Sequence, residues 1–317
     1  MAQGRSVSVT SDDSGRRLDN FVLTALSGVP RSRVYRMIRC GEVRVNSGRA
    51  SQGYRLIQGD IVRIPPFFSE SDVNRCTEIN QALKSLIEEH VLFENESLLV
   101  LNKPARIPVH SGSNYRFGII EIVRAIRKSS VTLAHRLDRD TSGCLAIVKS
   151  APLLRQIHAA MREGTVDKEY QGLVKGVWRG GARLVEGRLK KGLLRGGERV
   201  VQPLGDGKPA RTWMCPVQRF SDATLMRIKP LTGRTHQIRV HVASQGYPLA
   251  GDTKYGEQAF NRRMRGFGLG RLFLHASRLS FRIASPPVTY QFDAPLPAEL
   301  TRLLEHLRSG RERAKAV

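Results

Sequence analysis

Two stretches of the chain hold side chains whose types and spacing suit chemistry on a polar substrate. The first is His135-Arg136-Leu137-Asp138-Arg139-Asp140-Thr141-Ser142-Gly143, two carboxylates set among arginines. It lies between the apolar runs Val131–Ala134 and Cys144–Val148, which read as two strands delivering a polar loop. Gly143 lets the chain re-enter the sheet tightly. A carboxylate on such a rigid platform acts directly on a substrate, or Asp138 and Asp140 join histidines as metal ligands. A charged surface turn with neutralising arginines accounts for the same residues without any chemistry.

The second stretch is Thr232-Gly233-Arg234-Thr235-His236-Gln237-Ile238-Arg239-Val240-His241-Val242. Ile238, Val240 and Val242 alternate as in a strand, while a helix from Thr235 to Ser244, ended by Gly246, fits the cap signals. In the helical reading Thr235 is the N-cap, Ile238 and Val242 are buried, and His236 sits beside Arg239. Arg234 and Arg239 suit phosphate contacts, or one of them a buried carboxylate. Lys168 and Tyr170, two apart in Asp167–Val174, share a strand face, where Tyr170 would stack on a base or pack in a core. Asn102-Lys103-Pro104-Ala105-Arg106-Ile107-Pro108-Val109-His110 follows a strand and reads as a rigid loop. None of these segments offers a complete Ser-His-Asp set or a glycine-rich phosphate loop. His236 with His241, or His135 with Asp138, lacks an identifiable third ligand, so no metal site is expected.

The elements that must position these residues sit in a chain of 317 residues with 52 Lys and Arg against 28 Asp and Glu, a formal charge of +24. That balance favours a polyanionic partner, nucleic acid first and an anionic membrane second. Hydrophobic residues at 40% and charged residues at 25% exclude a disordered chain. No run of about 20 apolar residues exists, which excludes an ordinary membrane span. Met1–Thr10 lacks the apolar stretch of a cleaved secretory signal. Cys40, Cys76, Cys144 and Cys215 lie far apart, so a reduced cytoplasmic protein is expected, with each cysteine a small buried hydrophobe.

Residues 15–75 read as a small basic module. Leu18, Phe21, Val22, Ala25 and Leu26 have helical spacing, and Val34, Met37 and Ile38 face the core of a second helix that leaves Arg33 and Arg36 outside. Val43 and Val45 point inward from a strand with Arg44 outward, and Gly59-Asp60 turns into Ile61–Ile64. Between Gly15 and Pro66 ten arginines face three acidic residues. Residues 76–90 read as a linker or short helix. Residues 91–308 form a larger domain, with strands at Val91–Phe93, Leu98–Leu101, Leu145–Val148, Leu173–Val174 and Ala223–Ile228 and helices at Ile119–Ile126 and Leu153–Met161. Strands and helices do not alternate regularly, which predicts a mixed α+β domain on a mainly antiparallel sheet. Leu300, Leu303, Leu304 and Leu307 mark a last helix, and 309–317 form a frayed tail.

The run from Pro30 to Asn46, followed by Gly59-Asp60, resembles the small RNA-binding domain first known from ribosomal protein S-four. That resemblance implies a helix pair presenting basic side chains to structured RNA, read by shape and phosphates, and Arg31, Arg33, Arg36 and Arg44 are expected to contact RNA. From about Val91 to Tyr290 the chain resembles the RluA-type pseudouridine synthases, His135–Gly143 matching the family's most diagnostic motif. The resemblance implies that Asp138, not Asp140, is catalytic, that Arg136 takes the place of the flipped base, that Tyr170 stacks on that base, and that Arg239 pairs with Asp138. His135, Lys168, Arg234 and His236 are expected to contact RNA. Arg106 stands where a glycine is frequent, and Cys144 replaces the usual aliphatic residue.

The implied reaction, uridine to pseudouridine, needs no redox cofactor or phosphate donor. Large-subunit ribosomal RNA is the expected partner ahead of tRNA, in a bacterial cytoplasm, with no membrane, no obligatory protein partner and a monomeric state. Two further groups, Arg262, Arg263, Arg265, Arg271, Arg278 and Arg282, and Lys190, Lys191, Arg195 and Arg199, are expected to grip phosphates. A non-catalytic RNA-binding or ribosome-assembly factor on the same fold and a metal-dependent nuclease are the competing readings. Intact Asp138, Tyr170 and Arg239 favour the isomerase.

Overall fold

The apolar spacing of the basic module resolves into two helices, α1 (Leu18–Ala25) and α2 (Arg31–Arg39), in the computed structural model. That structure describes all residues except 1–4, 27–28, 30, 66–78, 112–114, 116, 130, 196–197, 204, 285–286 and 316–317. Leu18, Phe21 and Val22 of α1 and Val34, Met37 and Ile38 of α2 are buried together, while Arg33 and Arg36 are exposed. Gly41, at φ +73°, turns the chain out of α2. A three-stranded sheet in the order β1-β3-β2 completes the module, from β1 (Arg5–Ser8), β2 (Arg44–Val45) and β3 (Ile61–Ile64). Sequence patterning missed β1, whose short, largely polar run pairs antiparallel with β3. Asp60 closes the turn before β3, accepting hydrogen bonds from Asn46 Nδ2 at 2.7 Å and Ile57 N at 2.9 Å.

The chain divides into two units, Met1–Glu78 and Ile79–Val317. The second begins with α3 (Gln81–Glu89), capped by Asn80, whose Oδ1 accepts from Ala82 N at 2.9 Å. Its sheet has eleven strands: β4 (Val91–Glu94), β5 (Leu98–Lys103), β6 (Thr132–Leu133), β7 (Ser142–Val148), β8 (Asp167–Lys175), β9 (Arg183–Arg195), β10 (Glu198–Pro203), β11 (Lys208–Arg219), β12 (Ala223–Pro230), β13 (Leu274–Ile283) and β14 (Val288–Asp293). The order is β10-β9-β11-β12-β8-β13-β7-β5-β4, with β14 on β13 and β6 on β7. Among the described residues every pairing is antiparallel except β13 with β7, which are parallel and share two residue pairs, His275 with Ser142 and Ala276 with Gly143. This is the mixed, mainly antiparallel α+β architecture that the sequence predicts.

Buried apolar residues lie on both faces of this sheet. Helix α4 (Ile119–Arg127) buries Ile119, Ile120, Ile122 and Val123, and α5 (Ala151–Glu163) buries Leu153, Ile157 and Ala160. Helices α6 (Gln237–Ser244), α7 (Gln258–Gly266) and α8 (Ala298–Lys315) complete the unit. The helical backbone of α8 continues past Arg308 to Lys315. Among the described residues, no helix is long and apolar enough to cross a membrane.

Candidate active site

The two strands expected around the Asp138 loop are β6 and β7, paired through Thr132–Val148 and Leu133–Ile147. Gly143 has φ +112°, and a Cβ there would overlap the backbone of Ala276, so only glycine permits β7 to meet β13 at this point. The loop is pinned from below by Lys103, which is fully buried and donates to the carbonyls of Pro104 at 2.7 Å, Ile107 at 2.8 Å and Arg139 at 3.0 Å. Burial pushes its ammonium down to about 7. The two carboxylates then part company. Asp140 takes a bidentate pair from Arg139, at 2.9 and 2.8 Å, while Asp138 faces a cavity.

That cavity, of about 230 Å³, gathers Asp138, Tyr170, Arg239, Arg136, His135, Lys168, Arg234 and His236 on one wall system. Tyr170 and Lys168 reach it from the same face of β8, Tyr170 buried and Lys168 half-buried. Burial, then the Asp138 charge, raises the Tyr170 phenol well above its ordinary value, and burial lowers Lys168. Arg136 and Arg234 are exposed. The Arg234 Nε donates to Pro209 O at 3.0 Å. His135 Nε2 accepts from Ala146 N at 3.1 Å, and burial holds its pKa down to about 3, so this ring is neutral.

Arg239 Nη1 lies 3.7 Å from Asp138 Oδ2, but its tightest partner is another residue. Its Nε and Nη2 each donate at 2.8 Å to Asp252, a side chain 1% exposed in the loop after Gly251. Asp252 also accepts from Lys254 N at 2.9 Å and Tyr255 N at 3.0 Å, so its oxygens are fixed. Against the opposing effect of burial, the hydrogen bonds and charge of Asp252 raise Arg239 above its usual range. The Tyr255 ring lies 5.1 Å from the guanidinium carbon, and its Oη is 2.8 Å from His236 Nδ1. His236 Nε2 is 4.0 Å from Asp138 Oδ2, and burial lowers its pKa despite that carboxylate.

The helical reading of the second stretch holds, with one correction. Thr235 is not the cap: the helix starts at Gln237 behind His236, which adopts φ +53° and makes no side-chain cap bond. Gln237 does the fastening instead, accepting from Thr232 Oγ1 at 2.6 Å and Arg234 N at 3.1 Å and donating to Arg211 O and Thr212 Oγ1 at 2.9 Å. His241 turns away from the cavity to Thr212 Oγ1, 2.9 Å from its Nδ1. Among the described residues, no group of three His, Cys, Asp or Glu side chains could hold a metal ion.

Three of the six late arginines are held in ion pairs. Arg263 pairs with Asp222, Arg278 with Asp293 and Arg271 with Glu299, each at 2.6 Å, because strand pairing and helix packing bring in acids distant in sequence. Lys190 is paired with Asp206, and the side chains of Lys191, Arg195 and Arg199 lie outside the described residues. In the first unit Arg36 and Arg44 are exposed, Arg33 is 3.5 Å from Glu42, and the Arg31 side chain lies outside the described residues. Cys144 is buried as expected, its thiol pushed up to about 12 by burial, whereas Cys40 is exposed; Cys76 lies outside the described residues. Arg106 has φ +69°, which accounts physically for a glycine preference at that position.

Asp138, Arg239 and the buried Tyr170 thus line one cavity of about 230 Å³ on this sheet. Residues 97–244 match the model of RNA pseudouridylate synthase, and residues 16–62 match the S4 domain. The chain belongs to the RNA pseudouridylate synthase family. It is 42% identical over 311 residues to ribosomal large subunit pseudouridine synthase C of Haemophilus influenzae, covering 97% of this chain and 96% of the relative. The protein of the same name from Escherichia coli K12 is 42% identical over 309 residues, covering 96% and 97%. Human RNA pseudouridylate synthase domain containing 4 shares the fold, with a TM-score of 0.59 at 22% identity over 72% of this chain and 96% of that one.

Proposed function

We propose that this chain isomerises uridine to pseudouridine in large-subunit ribosomal RNA. The observation carrying the reading is the one cavity in which the Asp138 carboxylate, the Arg239 guanidinium and the Tyr170 ring all stand. Near full-length similarity to relatives named for the large ribosomal subunit supports the choice of RNA.

The reaction breaks an N-glycosidic bond and forms a C-glycosidic bond within one nucleotide, so atoms and electrons balance without a co-substrate. The base must first leave its stack, at a cost of a few kcal/mol. Tyr170 recovers roughly 1–3 kcal/mol of this by stacking, and exposed Arg136 enters the vacancy. Ionised Asp138 then acts at the sugar. Attack at C1′ and removal of the 2′ proton both require its charge. Arg239 at 3.7 Å supplies about 4.5 kcal/mol of attraction at an effective dielectric near 20, which aims the carboxylate. Lys168 and Arg234 hold the phosphates of the entering strand, and His135, neutral at pH 7, and His236 give polar contacts. Residues 15–75, with Arg31, Arg33, Arg36 and Arg44, grip RNA by shape; residues 91–308 carry the chemistry; and the chain works as a monomer.

Asp138→Asn tests this directly. The variant is expected to fold, to bind RNA as the wild type does, and to form no pseudouridine when purified RNA is mapped. Substantial modification by that variant removes Asp138 from the acting role.

A further inference from the structure

A second cavity, of about 260 Å³, adjoins the first, with Arg239 in the walls of both. Five arginines line it, Arg106, Arg139, Arg239, Arg265 and Arg271, against two carboxylates, Asp140 and Asp252. Both carboxylates are taken, by Arg139 and Arg239 respectively. Arg271, whose side chain is 3% exposed, reaches Glu299 outside this cavity and donates to Ser142 Oγ at 2.9 Å, leaving its Nη1 without a partner among the described residues. Among the described residues, Arg106 and Arg265 have no carboxylate partner there. Their hydrogen bonds go to backbone carbonyls, of Gly270 for Arg106 and of Asn261 at 3.4 Å for Arg265.

Two guanidinium charges beyond those neutralised therefore face one small space. Arg106 does so from a left-handed backbone conformation that costs an L-residue roughly 1–2 kcal/mol and persists only where its surroundings hold it. We infer that this cavity seats a phosphodiester of the substrate RNA, next to the nucleotide held at Asp138. The inference rests on the isomerase reading above. A nucleotide in the first cavity is tethered to a phosphate on either side, and a wall shared through Arg239 puts the second cavity within reach of its neighbours. The planar guanidinium fork matches phosphate oxygens in pairs. Free inorganic phosphate shares that chemistry, and the test separates the two.

The test uses the full chain, Arg106→Gly, Arg265→Ala, and short RNAs spanning a uridine that the wild type modifies. Arg106→Gly suits the backbone at φ +69° and so leaves the loop in place. Each variant is expected to raise KM about tenfold at unchanged kcat, the loss of one charge-assisted hydrogen bond. Each should also make the slope of log affinity against log salt shallower by about one. A single neutral methylphosphonate beside the target uridine should weaken wild-type binding about tenfold and the variants no further. Equal KM and salt slope for variants and wild type overturn the inference, as does a methylphosphonate penalty that the variants share in full. Stabilisation of the wild type by inorganic phosphate, with methylphosphonate RNA bound as tightly as unmodified RNA, assigns the cavity to the free ion and equally overturns it. If the wild type modifies no RNA, the isomerase reading fails separately, and the salt slopes of wild type and variants on a large-subunit rRNA transcript still decide the cavity.

Discussion

Replacing Asp252 by Asn tests whether the geometry at Asp138 is set by a residue outside the Asp138 cavity. Arg239 stands between two carboxylates, 2.8 Å from Asp252 and 3.7 Å from Asp138. At an effective dielectric near 20 these separations correspond to attractions of about 6 and about 4.5 kcal/mol. The guanidinium is therefore held back on Asp252 with Nη1 left toward Asp138. Asn at 252 removes the charge and turns an amide donor toward a guanidinium that only donates. Breaking a buried pair in this way costs about 3–5 kcal/mol, and contact with Asp138 recovers part, so a loss of about 3 kcal/mol in folding free energy is expected. Closing the gap from 3.7 Å to the 2.8 Å now made with Asp252 moves the charge by about 0.9 Å. Misplacement of about 1 Å costs on the order of 100-fold in rate. Denaturant titration reads the first quantity and single-turnover pseudouridine formation the second. A variant with wild-type midpoint and wild-type rate would refute the claim that Asp252 positions Arg239.

Stability should fall with acid through His275, fully buried with Nδ1 2.8 Å from Ser142 Oγ and Nε2 3.1 Å from Ala294 O. Burial holds its folded pKa down to about 4, so as pH drops below about 6.5 the unfolded chain takes up the proton first. The stability present above pH 6.5 is lost on the way to about pH 4, on the order of 3 kcal/mol, and urea titrations of wild type and His275→Gln across that window should diverge in slope. Gly143→Ala should destabilise the second unit by about 3 kcal/mol or more, since φ +112° and the Ala276 backbone both oppose a Cβ; an unchanged denaturation midpoint would show that the β7–β13 junction yields. Arg33→Ala with Arg36→Ala, both exposed on α2, should weaken binding across many RNA sequences and lower the salt slope by about two, with no change in thermal midpoint.

The Asp138 loop was legible because its flanking strands are apolar runs closed by Gly143, a local signal that needs no tertiary information. Helix α6 was ambiguous for a physical reason: Gln237 to Val242 are all buried, so no polar face marks a period. Strands β9 to β11 escaped notice because charged residues, glycine and proline interrupt them, as at Gly187, Lys190, Pro209 and Pro216. Asp252 was invisible because its pairing with Arg239 exists only once the loop after Gly251 folds against α6. The same holds for Arg271, which reads as a surface cation between Gly270 and Leu272 and ends in the interior beside Ser142.

The joint between β7 and β13 spans two residue pairs, and the residues of the proposed site straddle it. Asp138 hangs from the half-sheet of β4 to β7, whereas Tyr170 and the strands that support Arg239 belong to the other half. A few degrees of rocking about that narrow suture would lengthen or shorten the carboxylate–guanidinium gap with no side chain changing rotamer. On the proposed roles of Asp138 and Arg239, turnover doubles as a gauge of how squarely two plates are aligned, and amide exchange at Gly143 and Ala276 reads that alignment without any RNA present.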